Sequence, residues 1–322
     1  MLYLNTDDLN RIGLHWKETV REIEKATECL HAGDFSQPVK PYVRFKDPAN
    51  RIIAMPAFVG GSFSMAGIKW IASFPNNINQ GIQRAHSVTV LNDASSGQPV
   101  SIINSGLISG IRTASVSGLV IQKFLQAQKK SHLTAGIIGF GPIGQLHLKM
   151  IAALFPEEIE RVLIYDLRGV DTENINSSIR DRVTVCDHWK EVYGKSDIFM
   201  TCTVSKHRYI DRKPKDGALL LNVSLRDFTA DIYEYTRQIA VDDWDEVCRE
   251  NTDIEMLHKL KNLQKEGTFS IGDIVINGAF KHLSTAEAVM FNPMGMAVFD
   301  IAVGSYFYRM AAELGAGIEL KE

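Results

Sequence analysis

The stretch HLTAGIIGFGPIGQLHLKM, residues 132 to 150, constrains the fold more than any other part of the chain. Its glycines Gly139, Gly141 and Gly144 are spaced G-x-G-x-x-G. The apolar run AGIIGF before them reads as a buried strand, and IGQLHLKMIAALF after them reads as a helix. In that setting Gly139 permits a tight turn, Gly141 lets the backbone approach a pyrophosphate, and Gly144 lets helix and strand pack closely. The phosphates would lie at the helix N-terminus, on its N–H groups and positive dipole end. Pro142 costs little there, because its missing N–H has no partner inside the helix, and Ile143 completes the turn.

A second signal is RVLIYD, a following strand that ends in Asp166, 22 residues after Gly144. An acid there can hold both ribose hydroxyls of NAD and repels the 2′-phosphate of NADP. Nearby Arg168 leaves a case for NADP. The turn lies in mid-chain, whereas FAD enzymes usually carry it at the start. NAD is the expected cofactor.

Around this unit the chain has three zones. Residues 1 to about 115 combine a helix, Asn5 to His31, capped by Asn5 or Thr6, with the strand-like runs KPYVRF, RIIAMPAFVG, MAGIKWIASF, SVTVLND and QPVSIIN. Turn signals between the runs predict a mostly antiparallel meander. From about 116 to 295, short apolar strands (AGIIGF, RVLIYD, RVTVCD, DIFMTCTV, ALLLNVS, QIAVDD) alternate with helical segments, the pattern of a parallel sheet. The last zone, FNPMGMAVFDIAVGSYFYRMAAELGAG, reads as one long helix ending at Gly315 or Gly317. The fold class is α/β, a Rossmann-type parallel-sheet domain inserted in a second α+β domain. The expected division is 117–296 for cofactor binding, and 1–116 with 297–322 for substrate binding and dimerisation.

Composition excludes several classes. The chain has 322 residues, 45% hydrophobic and 23% charged, with a formal net charge of −3, so no nucleic-acid partner is expected. The first ten residues are charged and carry no signal-peptide core, and no run of about 20 apolar residues could span a bilayer. Cys29, Cys186, Cys202 and Cys248 form no C-x-x-C pair and read as free thiols of a cytoplasmic protein. The nine histidines show no ligand spacing, so no metal is expected, and of those nearest the proposed sites (His86, His147, His207) none is assigned a role.

Local charge is more telling. Between Ser36 and Val116 stand seven bases, Lys40, Arg44, Lys46, Arg51, Lys69, Arg84 and Arg112, against two acids, Asp47 and Asp93, a balance of +5. Arg44, Lys69 and Arg112 lie in apolar settings, where a charge needs a counterion. A small multi-anionic substrate is one candidate counterion; acids of the other domain, or water reached by snorkelling, are others. Asp227 follows the strand ALLLNVS, beyond whose C-terminal end ligands of an open parallel sheet bind. It reads either as a site acid or as the N-cap of a following helix. Asp300, on the last helix, reads either as the partner of a base or as a plain surface or interface acid.

Together PYVRF, RIIAMP, GIKWIAS, VLND, LISGIRTASVSGL, GFGPIGQ, TCTV, NVSLRD and NPMGMAVFDIA resemble the ornithine cyclodeaminase/mu-crystallin family over nearly the whole chain. The resemblance implies a homodimer built through the first domain, with NAD in the second. It implies that Arg44, Lys69 and Arg112 bind substrate carboxylates, Arg112 also lying near the cofactor. Asp227 would handle protons and water, and Lys69 could share that task. Met294 and Gly295 would line the substrate, and Thr203, Val223 and Ser224 would join the glycine turn around the cofactor. Two departures stand out: cyclodeaminases carry an acid where this chain has Ile53, and a Cys-Pro-Gly-Lys run where Asp227 is followed by FTADIY. RIIAMPAFVGG, VDDWDEVCRE and NPMGMAVFDI look most like members that form 2,3-diaminopropionate for siderophore or peptide-antibiotic pathways. The implied substrate is the tricarboxylate N-(1-amino-1-carboxy-2-ethyl)glutamate. Ornithine cyclodeamination, ketimine reduction, or cofactor binding without turnover remain the alternatives.

Overall fold

The computed structural model describes residues 1–47 and 49–321. These form two eight-stranded sheets, and the chain divides into two compact units, Met1–Arg112 with Met296–Glu322, and Thr113–Gly295. The division falls inside the helix Leu107–Gln128, ahead of the expected boundary at 116.

The first unit contains β1 (Leu2–Asn5), β2 (Phe35–Ser36), β3 (Tyr42–Arg44), β4 (Arg51–Val59), β5 (Met65–Ser73), β6 (Ala85–Asp93) and β7 (Pro99–Asn104). Strands β4 to β7 form an antiparallel meander; β1 joins it parallel to β7, and the short strand Ile318–Glu319 pairs with β1. Alternation sets the two faces of this sheet. Met55, Ala57, Val59, Leu91 and Ile103 are buried on one face, against which the helix Ala297–Leu314 packs beside the helix Trp16–Ala32. Gly67 allows that approach: a Cβ there would lie 2.8 Å from Ile301 Cδ1 and 2.3 Å from the Val90 carbonyl oxygen.

The expected single helix from Asn5 to His31 is two helices, Thr6–Ile12 and Trp16–Ala32. Gly13, with φ of 94°, takes a conformation that ends the first. Asn5 is its cap. The Asn5 side chain accepts from the Asp7 and Asp8 amides at 2.8 and 3.1 Å, and Asp8 accepts from the Asn5 amide at 3.0 Å.

The second unit contains β8 (Leu133–Ile138), β9 (Ile159–Tyr165), β10 (Val183–Val185), β11 (Ile198–Thr201), β12 (Leu219–Leu221), β13 (Ile239–Val241), β14 (Thr268–Ser270) and β15 (Val289–Asn292). All run parallel, in the order β10-β9-β8-β11-β12-β15-β13-β14. Strands β9 and β10 lie to one side of β8 and β11 to the other, so the winding reverses between β8 and β11. That is where open parallel sheets bind ligands.

The long helix expected over residues 291 to 317 begins only at Ala297 and ends at Leu314, capped by Gly315. The segment before it is β15, inserted between β12 and β13. Val289, Met290, Phe291 and Asn292 are all buried, and a short run apolar on both faces has the same pattern in a helix as in a central strand. Pro293 keeps the preceding residue extended, and Gly295 turns the chain at φ of 86°.

Replacing Asn5 by Ala removes the cap of the first helix. We expect unfolding in urea to show a loss of about 1 kcal/mol; an unchanged midpoint would show that the cap carries no stability.

Candidate active site

The glycine turn opens the first crossover of the parallel sheet. Gly139 has φ of 89°, and a Cβ on it would lie 2.5 Å from the Cys202 carbonyl oxygen, beyond the end of β11. A Cβ on Gly144 would lie 2.1 Å from the Gly139 carbonyl oxygen. Gly141 is the N-cap of the helix Pro142–Leu154, and a Cβ on it would meet nothing within 4 Å. No side chain caps this helix. Two glycines are thus dictated by packing, and the third leaves an open approach to a positive helix end. Asp166 follows β9, and its carboxylate accepts from the Phe140 amide at 2.7 Å and the Arg168 amide at 2.8 Å. The acid is thereby fastened to the turn. These residues fit a dinucleotide, with the pyrophosphate over Gly141 to Gly144 and a ribose at Asp166.

Asp227 lies in the loop after β12 and is fully buried. The helix that follows starts at Ile232 with Asp231 at its N-cap position, so Asp227 does not cap it. Its carboxylate accepts from Thr203 Oγ1 at 2.5 Å and from the Ser224 hydroxyl. The buried Tyr209 hydroxyl neighbours the same carboxylate without a well-formed hydrogen bond to it. Burial raises the pKa of Asp227 above the ordinary carboxylate range, and the surrounding hydroxyls offset part of that rise. The result is a base that retains its proton to higher pH than a solvated aspartate.

In the first unit Lys69, on β5, is 1% exposed. Its Nζ donates to Asp300 Oδ2 at 2.8 Å and to Ser109 Oγ at 3.3 Å. Arg112 Nε donates to Asp300 Oδ1 at 3.0 Å. Asp300 therefore divides its two oxygens between two cations, and the counterion missing from the local sequence comes from the C-terminal helix. Burial pushes Lys69 down to about 7, with Asp300 opposing and Arg112 and Lys40 adding to the fall. For Asp300, burial favours the neutral acid, but Arg112 and Lys69 outweigh it and hold the carboxyl below its ordinary value. With Lys69 protonated, two cations on one anion leave the cluster with one net positive charge.

Residues 9–314 match the family described as Ornithine cyclodeaminase/mu-crystallin family. The chain belongs to that family. It is 33% identical to the N-((2S)-2-amino-2-carboxyethyl)-L-glutamate dehydrogenase of Staphylococcus aureus, over 99% of this chain and 98% of that one. Among solved structures it is similar to the Thermococcus litoralis Delta(1)-pyrroline-2-carboxylate reductase in complex with NADH and L-proline. That likeness has a TM-score of 0.87 and 23% identity, covering 99% of this chain and 100% of the other. It is also similar to an archaeal alanine dehydrogenase dimer with bound NAD, with a TM-score of 0.84 and 22% identity, covering 100% of this chain and 99% of that one.

The remaining family positions are more dispersed. Arg44 lies on the exposed strand β3, its guanidinium 5.3 Å from the Tyr42 ring centroid. Its row, Arg44–Arg51–Ser73, is on the same sheet face as Lys69 but four residues further along β5, about 14 Å away by strand rise. Thr203, Val223 and Ser224 are half-buried beyond the ends of β11 and β12. The Met294 and Gly295 amides donate to the Asp242 carboxylate at 2.9 and 2.7 Å, which fixes that loop. Asp242 was not singled out by the sequence, nor was Tyr209. His147 is fully buried, with Nε2 at 2.9 Å from Ser117 Oγ and Nδ1 at 2.8 Å from the Ile143 carbonyl oxygen. Burial pushes it down to about 4, so it is a neutral packing residue, while His86 and His207 are exposed. Among the described residues no group of His, Cys, Asp and Glu could hold a metal, and no helix is long and apolar enough to cross a membrane.

Removing Asp300 leaves two buried cations without their anion. Asp300→Ala is expected to lower stability by about 3–5 kcal/mol, read by chemical denaturation. A loss below 1 kcal/mol would mean that water or another group replaces the carboxylate.

Proposed function

We propose that this chain is an NAD-dependent oxidoreductase of an amino-acid-like substrate. More finely, we propose that it converts N-(1-amino-1-carboxy-2-ethyl)glutamate, water and NAD to 2,3-diaminopropionate, 2-oxoglutarate and NADH. The observation that carries this reading is the full-length likeness to the staphylococcal dehydrogenase. The chain's own residues support it. Ile53, paired across the sheet with Tyr42 and Ile71, offers no carboxylate to a distal ammonium such as that of ornithine.

NAD, held by the glycine turn and Asp166, would accept a hydride from the glutamate α-carbon. Arg44, Lys69 and Arg112 bind substrate carboxylates, Arg112 with the part of its guanidinium beyond the Nε that meets Asp300. Asp227 takes a proton from the substrate nitrogen as that carbon is oxidised to the imine level. It passes that proton to solvent and then takes one from the water that adds to the carbon of the protonated imine. It returns that proton to nitrogen as the carbinolamine collapses, and takes up the hydroxyl proton as the carbonyl forms, which releases the amine and the oxo acid. Thr203 and Ser224 hold the carboxylate in place throughout. Lys69, depressed by burial, is the second group able to exchange a proton near neutrality.

A base must be deprotonated to act, so activity should rise with pH through the Asp227 pKa. Because that pKa is raised, the acid limb of kcat should lie above the ordinary carboxylate range. Asp227→Asn should lose this limb and at least about 100-fold in kcat while still binding NAD. The direct test is NADH absorbance with the glutamate–diaminopropionate conjugate, and separately with L-ornithine, products being identified by mass. Stoichiometric NADH and 2-oxoglutarate from the conjugate alone is the expected result. Proline and ammonia from ornithine, without net NADH, would overturn the proposal.

We also propose that the first unit pairs with a second copy. Ile52, Ala54, Phe58, Ile68 and Val88 stand half-buried on the sheet face opposite the helices, and Trp70 among them is 45% exposed. A second copy would cover this apolar face. Trp70→Glu combined with Ile68→Asp should give a folded monomer by light scattering; an unchanged mass would place any interface elsewhere.

A further inference from the structure

The loop that carries Asp227 is not held by Asp227. It leaves β12 at Asn222, and Leu225 within it has φ of 65°, a left-handed conformation that a leucine keeps only when its surroundings impose it. What imposes it lies behind the loop. Asp253 is the first residue of the helix Asp253–Lys261 and is fully buried. Its Oδ2 accepts from the Asp227 amide at 3.2 Å, the Phe228 amide at 3.1 Å and Asn222 Nδ2 at 3.0 Å. Its own amide donates to the Leu225 carbonyl at 2.8 Å. Its Oδ1 accepts from Arg208 Nε at 2.7 Å, and Arg208 also donates to the Asn251 and Thr252 carbonyls at 2.7 and 3.0 Å. Asp253 thus grips both ends of the loop with its carboxylate and the strained middle with its backbone amide.

The grip is continued by buried amides. Asn222 Oδ1 accepts from the Leu225 amide at 3.1 Å and from Thr201 Oγ1 at 3.2 Å, and Asn222 Nδ2 also donates to Asn292 Oδ1 at 2.8 Å. On the far side, the Phe228 ring packs edge-on against Phe199 and Tyr193. The side chain of Asp227 meets only hydroxyls, so its direction depends on where its backbone is set. A displacement of an ångström in an acid–base group can cost about 100-fold in rate.

We infer that Asp253, braced by Arg208, is a positioning residue that sets the backbone from which Asp227 reaches its proton-transfer position. The inference rests on the reading of Asp227 given above. Asp253 touches neither substrate nor cofactor in this role; it acts through the Asp227 and Phe228 amides. An asparagine at 253 presents an amide nitrogen to one of four donors, so one side of the grip must open.

The test uses the full chain with Asp253→Asn, and Asp227→Asn as reference. Hydrogen–deuterium exchange without ligand reads the loop directly. The segment 222–228 should exchange at least about tenfold faster in Asp253→Asn, while 138–144 in the glycine turn is unchanged. With the glutamate–diaminopropionate conjugate, kcat should fall about 10- to 100-fold, with KM and NAD affinity within about threefold. Parental exchange and kcat would overturn the inference. So would faster exchange throughout the unit with NAD affinity lost, which marks a role in the fold at large. If Asp253→Asn does not fold, Arg208→Ala, at a partly exposed side chain, should move both readouts in the same direction by less; no change in either overturns the inference. Normal turnover by Asp227→Asn overturns the reading of Asp227 but not the staple, which the exchange decides alone.

Discussion

A carboxylate taken out of water must be surrounded by donors or give up its charge. Asp227, Asp253 and Asp300 are all fully buried, and the donors around each determine what it can do. Asp300 faces an ammonium and a guanidinium and stays ionised below its ordinary pKa. Asp253 faces a guanidinium, two backbone amides and an asparagine amide, and even so burial lifts it to about 6. Asp227 meets hydroxyls, and burial raises its pKa while those hydroxyls offset part of the rise. The other two are fitted to hold neighbouring groups still.

The polar groups collect where the parallel strands end. Thr201 ends β11, Asn222 follows β12 and Asn292 ends β15, on adjacent strands, and all are buried and joined through the Asn222 amide. The strands themselves are buried on both faces by Ile, Leu, Phe and Met, which cannot satisfy the backbone groups of the loops beyond them. Side-chain amides at the strand ends meet that need. They can donate and accept at once, so one residue can close a strand, support a loop and contact its neighbour. The loops they support carry Thr203, Ser224 and Asp227.

How much of this was legible in sequence follows from the range of each interaction. The glycine turn, the acid at Asp166 and the antiparallel meander rest on contacts between near neighbours, and the residues alone point to them. The break at Gly13 was missed because periodicity continues across it. The end of strand β15, Phe291 and Asn292, falls in the expected last helix because a short, fully buried run shows no strand period. The pairing of Lys69 with Asp300 spans 231 residues, and no local pattern encodes it, although a lone acid in AVFDIAVG was a signal that something basic lay opposite. Asp253 gave less warning: in RENTDIEM it looks like an ordinary first-turn acid, and Thr252 does cap the helix. Its second use, as an acceptor for a loop more than twenty residues earlier, exists only in the folded chain.

The character of the first sheet bears on the substrate. Along the face that carries Lys69, the rows beyond it bring Ile53 beside Tyr42 and Ile71, and then Arg51 beside Arg44. Both guanidiniums lie over the Tyr42 ring, at 5.3 and 5.7 Å from its centroid. Like charges directly opposite on paired strands repel, and the shared aromatic face offsets part of that. A ligand bringing an ammonium to this region would meet two guanidiniums beside the apolar row of Tyr42, Ile53 and Ile71. A ligand bringing a carboxylate would lower the repulsion as it bound.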